Sequence, residues 1–92
     1  MIYEWDLKKA QANKIKHGVS FEQATQVFLD PLALTFRDPA HSNDEDREIT
    51  VGCAESGRVI FVSHCRRGAR IRIISARAAT KREQRQYEEA TW

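Results

Sequence analysis

Glycine is scarce in this chain, at four residues in 92. None of the four stands at P-loop or dinucleotide-fingerprint spacing, which sets aside the common phosphate-cradling folds. No serine sits in a nucleophile elbow. Cysteine numbers two, Cys53 and Cys65; with no export signal, two thiols read as reduced side chains rather than a disulfide. The three histidines, His17, His41 and His64, are scattered, and no Cys/His cluster has the tight spacing of a four-ligand zinc site. No apolar run approaches the roughly 20 residues of a membrane span. The opening Met1-Ile2-Tyr3-Glu4-Trp5-Asp6 lacks the basic-then-apolar layout of a signal peptide. The expectation is a cytoplasmic protein with no membrane anchor, no cofactor and no metal. The acidic run Asp44-Glu45-Asp46 is the one stretch that could attract a divalent cation, and it lacks the spacing of a dedicated calcium loop.

What is present is an ordinary globular composition, 41% hydrophobic and 30% charged. The length fits one domain, 1–92, with one modest core. The net charge of +2 hides a division. Residues 1–57 carry six Lys/Arg against ten Asp/Glu, whereas residues 58–92 carry nine against three, and eight of those nine are arginine. Guanidinium presents a planar fork of donors that grips phosphate at two points. An arginine-dominated segment therefore points towards nucleic acid.

Local signals place the elements. Residues 2–5 alternate apolar and polar as a short strand. Asp6 caps a helix over about Leu7–Lys16, which ends with Lys14, Lys16 and His17 at the negative end of its dipole and Gly18 at C′. Ser20 and Gln23 form a capping box, with Val19 and Ala24 as its hydrophobic staple. Phe21, Ala24, Val27 and Phe28 share one face of that second helix, which Asp30-Pro31 stops. Residues 32–37 read as a strand and Asp38–Asp46 as a polar loop. Two hairpins follow, joining strands of about 47–54, 58–65 and 70–77 through Glu55-Ser56-Gly57-Arg58 and Arg66-Arg67-Gly68-Ala69, with glycine second in each two-residue loop. That register puts Ile49, Val51, Cys53, Ile60, Val62, Ile71 and Ile73 on a single core face with His64 at its edge, and the two cysteines on opposite faces. Thr80 and Glu83 form another capping box, opening a polar helix to about Ala90. Two N-terminal helices, a mainly antiparallel sheet and a C-terminal helix make an α+β fold.

The chemistry rests with the basic set. Arg70, Arg72 and Arg77 lie on one strand, Arg82 and Arg85 on the helix after it, and Arg47 opens the sheet. Attack by a ribose 2′-hydroxyl on its own phosphate needs a base, an acid and cationic stabilisation of the phosphorane, and no metal. Histidine is the natural proton carrier near neutral pH, which draws attention to His64 and His17. Tyr87 is available to stack on a base or donate a proton. Each has a plainer reading: His64 as an edge residue of the sheet, His17 as a helix cap, Tyr87 as core, and Arg77 and Arg82 as ion-pair partners of Glu83, Glu88 or Glu89.

Several segments resemble BrnT-type toxins. Asp6, Lys9 and Asn13 lead into Lys16-His17-Gly18-Val19-Ser20-Phe21-Glu22 and Ala24, then Val27-Phe28 and Asp30-Pro31. Arg72-Ile73-Ile74-Ser75-Ala76-Arg77, Ala79-Thr80, Glu83 and Tyr87-Glu88-Glu89 resemble the C-terminal signature. The match covers nearly the whole chain. It departs at the second turn, where Arg66 and Ala69 replace expected acidic residues. The resemblance implies a RelE-like ribonuclease fold and the toxin of a type II toxin–antitoxin pair. Such toxins cleave RNA, arrest translation and are held inactive by a cognate DNA-binding antitoxin, whose complex represses its own operon and supplies the contact to operator DNA. Matched to the family's active site, the basic residues are Lys16, Arg47, Arg72, Arg77 and Arg82. The expected catalytic set is Lys16, Arg47, His64, Arg72 and Arg77, with His17, Arg70, Arg82 and Tyr87 contacting substrate. The alternative is a non-catalytic basic module that binds nucleic acid or an antitoxin.

Overall fold

Asp6 starts the first helix as its position predicts, its Oδ1 accepting from the backbone N–H groups of Lys8 and Lys9 at 2.8 and 3.2 Å. A computed structural model describes residues 1–40 and 46–90. In chain order these form β1 (Ile2–Glu4), α1 (Leu7–His17), α2 (Phe21–Thr25), a 3-10 turn (Gln26–Leu29), β2 (Leu34–Arg37), β3 (Arg47–Cys53), β4 (Val59–Arg67), β5 (Arg70–Ala78) and α3 (Lys81–Ala90). Gly18 ends α1 at φ 68°, a left-handed position that glycine occupies without steric cost. Ser20 Oγ accepts from Gln23 N as its capping role requires, but the Gln23 amide reaches Ser56 Oγ at 3.2 Å instead of closing the box. At α3 the box is reciprocal: Thr80 N donates to Glu83 Oε1 and Glu83 N to Thr80 Oγ1. Asp44 and Glu45 of the acidic run, and His41, fall outside the described residues, while Asp46 pairs with Arg37 at 3.1 Å.

The five strands lie in the order β1-β5-β4-β3-β2. All neighbours are antiparallel except β1, which runs parallel to β5 and brings Glu4 opposite Arg72. Beyond β1 the free edge of β5 is completed by a side chain. Asn13, on α1, donates to the carbonyls of Ala76 and Val19 and accepts from Ala76 N, so a buried amide replaces the missing strand.

The register corrects the single core face expected from two-residue hairpins. Cys53 pairs with Val59, so the first loop holds five residues, closed by Ala54 N to Arg58 O and Gly57 N to Ala54 O. Every β3 residue is thereby displaced by one relative to β4, which exchanges its faces. The second loop is Gly68-Ala69, between the paired Arg67 and Arg70, with positive φ at its first position only; that is the pattern of a type II′ turn, and glycine stands first rather than second. By strand alternation Cys53 and Cys65 now share a face, at opposite ends of the sheet, and neither is bridged in a disulfide.

Two clusters result, one on each side of the sheet. Ile60, Val62, Ile71, Ile73 and Ala76 pack against Val19, Phe21, Ala24 and Val27 under the N-terminal helices. Ile49 and Val51 pack on the other side against Tyr87 of α3, with Cys53, Val59 and Phe61 beside them. A bulge keeps both faces consistent. Ser63 pairs with Ser75 and His64 with Ile73, leaving Ile74 as an extra residue. Arg72 and Arg77 are five apart, a spacing that would set them on opposite faces of a regular strand. The bulge puts both on the α3 side, and Ala76 joins Ile71 and Ile73 on the helix side.

Candidate functional site

α3 covers only the end of its face that carries Val51, Cys53, Val59 and Phe61. The other end of that face presents Arg47 on β3, Cys65 and Arg67 on β4, and Arg70 and Arg72 on β5, at mutually paired or adjacent positions. Arg70 is exposed, whereas Arg47 and Arg72 are half-buried. Arg72 Nη1 reaches Glu4 Oε2 at 3.3 Å. At the tip of the sheet a cleft of about 400 Å³ is lined by Arg37, Asp46, Arg47, Glu48 and Arg66. Arg37 and Arg66 thus join Arg47, though neither was assigned a role from sequence. The excess of basic residues at the second turn was the available signal for Arg66; nothing local marked Arg37, which the β2–β3 pairing carries there.

Arg77 is separated from this group by its own contacts. Its Nη1 and Nη2 donate to the two carboxylate oxygens of Glu83 at 2.8 and 2.9 Å, and its guanidinium lies 4.0 Å from the centroid of the Phe61 ring. The bond to Glu83 raises the Arg77 pKa against the opposing effect of burial, and the same bond lowers that of Glu83. This two-point pair ties the start of α3 to β5. Further along α3, buried Tyr87 donates to Asp30 Oδ2, which also accepts from Cys53 N, while Asp30 Oδ1 accepts from Leu32 N. Burial pushes the Asp30 carboxyl up, but its three donors outweigh that and hold it below the usual carboxylate range. Burial and the charged Asp30 raise the Tyr87 phenol. Arg82 is exposed on α3.

His64 lies on the helix side, 1% exposed. Its Nε2 shares a 2.7 Å hydrogen bond with Thr50 Oγ1, which continues at 2.8 Å to Thr35 Oγ1, and its ring meets Phe28 edge-on at 4.9 Å. Burial pushes the imidazole down to about 4; neighbouring Glu48 opposes that shift and Arg66 adds to it. At neutral pH this histidine is uncharged and closed to solvent. Lys16 and His17 end α1 in the layer behind the sheet, and among the described residues no hydrogen bond or ion pair links them to the sheet arginines. The nine residues singled out from sequence therefore divide. Arg47, Arg70 and Arg72 share an open surface. Arg77 and Tyr87 hold α3, with Arg82 on its exposed side. His64, Lys16 and His17 sit on the other side of the sheet.

No helix among the described residues is long and apolar enough to cross a membrane. A comparison with curated proteins finds no match. Among solved structures, the crystal structure of the Brucella abortus ribonuclease toxin BrnT is similar at a TM-score of 0.71 and 28% identity, covering 88% of this chain and 100% of that one. Residues 5–83 match the family model described as the ribonuclease toxin BrnT of type II toxin–antitoxin systems. The chain, with its α+β fold and its arginine-rich open sheet face, therefore belongs to the BrnT family of type II ribonuclease toxins.

Proposed function

We propose that this chain is a cytoplasmic, metal-independent endoribonuclease that cuts RNA by attack of a ribose 2′-hydroxyl on the adjacent phosphate, inhibits translation, and is neutralised by a cognate DNA-binding antitoxin. The observation that carries this reading is the convergence of Arg37 and Arg66, from the helix side of the sheet, with Arg47 on one cleft at its tip, while Arg70 and Arg72 extend the basic surface from Arg47 over the opposite, open face. Guanidinium groups fixed at the end of a rigid sheet are set to receive the charge that builds on a pentacoordinate phosphorus. In this reading Arg47 stabilises the transition state, and Arg70, Arg72 and Arg82 contact the flanking RNA backbone. Arg77 and Tyr87 fix α3 as one wall. Lys16 and His17 lie on a further basic track, and His64 acts from inside the fold.

Purified protein should cut single-stranded RNA equally well with and without EDTA. Arg47→Ala should lower kcat about 10²-fold or more, the usual cost of one transition-state donor. Cleavage abolished by EDTA and restored by magnesium would overturn metal independence. Salt-sensitive binding without any cleavage would leave a nucleic-acid-binding module in place of an enzyme.

A further inference from the structure

Metal-free 2′-hydroxyl attack needs a base, and the cleft contains a carboxylate in an unusual state. Glu48 lies on β3 directly opposite His64 in register. Its Oε1 is sealed from solvent and accepts no hydrogen bond among the described residues. Arg66 Nε approaches that oxygen only to 3.5 Å, ion-pair distance without hydrogen-bond geometry. Yet the side chain as a whole is 31% exposed and lines the cleft with Arg37, Arg47 and Arg66. A half-sealed carboxylate with an unsatisfied oxygen is a cost to the fold, because each buried acceptor left unpaired forfeits its hydration. A second orphan stands at the facing register position: His64 Nδ1 is buried and has no partner among the described residues.

Resting on the ribonuclease reading above, we propose that Glu48 is the general base of this site and that His64 is its positioning residue. The 2′-O–H bond breaks and its proton passes to the Glu48 carboxylate. The 2′-oxygen bonds to phosphorus, and the bond from phosphorus to the 5′-oxygen breaks. One fragment ends in a 2′,3′-cyclic phosphate. The departing 5′-oxygen takes a proton from water, and Glu48 returns its own to solvent. Arg37, Arg47 and Arg66 hold the phosphate beside the carboxylate. His64 is itself immobilised by Thr50 and by the Phe28 ring, so it gives the carboxylate a rigid inner neighbour. The charged and titratable groups around Glu48 are His64 and Arg66 from β4, Arg37 from β2, and Asp46 and Arg47 beside it in the chain.

Steady-state cleavage of a single-stranded RNA by the full chain tests this. Glu48→Gln should lower kcat about 10²–10⁴-fold, the usual contribution of a positioned base, with KM within about threefold of wild type. The low-pH limb of the kcat profile should flatten. Glu48→Asp keeps a carboxylate but draws it back, and should retain that limb at intermediate kcat. His64→Gln should shift the limb in pH, which loss of packing alone would not do. If Glu48→Gln fails to fold, the Glu48→Asp and His64→Gln profiles decide. Wild-type cleavage with an unimpaired Glu48→Gln enzyme, a limb lost in Glu48→Asp, or an unshifted limb in His64→Gln overturns this proposal alone. A wild-type protein that binds RNA and never cuts it overturns the ribonuclease reading as well.

Discussion

His64 shows how a single side chain changes meaning with its surroundings. In the chain it is a histidine on a strand, as suited to proton transfer as to packing. In the fold it is enclosed by Phe28 and Thr50, and burial holds its pKa at about 4. An unfolded chain protonates this imidazole near 6.5, so between the two values the unfolded state binds a proton that the folded state refuses. Stability from this group is complete above about pH 6.5 and falls as the pH drops towards 4, at up to about 1.4 kcal/mol per pH unit. Urea midpoints measured from pH 7 to pH 4.5 should fall for the wild type, and the slope should be visibly smaller in His64→Gln. An equal slope in the two proteins would place the sensitivity elsewhere. At this scale the caps were legible from sequence, because Asp6, Ser20 and Thr80 act on N–H groups two or three residues away. The enclosure of His64 was not, because Phe28 is thirty-six residues distant and comes from another layer.

At the scale of elements, the seam between β3 and the 3-10 turn depends on an absent side chain. A Cβ on Gly52 would meet Val27 Cβ and Val27 O at 3.0 Å and Ala33 Cβ at 3.1 Å. Gly52→Ala must push the turn away from the sheet and should cost about 1–3 kcal/mol, read as a lower urea midpoint with an unchanged m-value. A neutral outcome would mean that the seam yields freely. Because Asp30 just beyond the turn accepts from Tyr87, the same variant should also loosen α3, seen as faster amide exchange over residues 81–90. The strands themselves were legible through their alternation and their turn residues. Their register was not: a five-residue first loop in place of a two-residue one moves β3 by a single position, and Ile49, Val51 and Cys53 change sides. Turn residues limit loop length without setting it when Ala54 N and Arg58 O can close a wider loop. The bulge at Ile74 leaves no local mark either, since it is a relation between two strands.

Across the whole molecule, the acidic first half and basic second half are brought together rather than kept apart. Glu4 and Glu48 face Arg72 and Arg66, while Arg37 and Arg47 from the acidic half complete the basic cleft. Binding to single-stranded RNA through this surface should weaken with salt by about 0.7 in log–log slope for each phosphate neutralised. Arg70→Ala combined with Arg72→Ala should reduce that slope by about 1.4; a slope left unchanged would mean that RNA follows a different surface. The sequence by itself determined the fold class, the helix starts, the approximate strands and the charge division, because caps, periodicity and composition are local or additive. Its family signatures were equally readable, being runs of adjacent residues. Only the tertiary structure decided that the apolar strand residues serve two cores rather than one, that Arg77 is tied to Glu83, and that Glu48 joins three arginines. Each of those depends on strand register and long-range pairing, where a shift of one residue exchanges the two faces of a sheet.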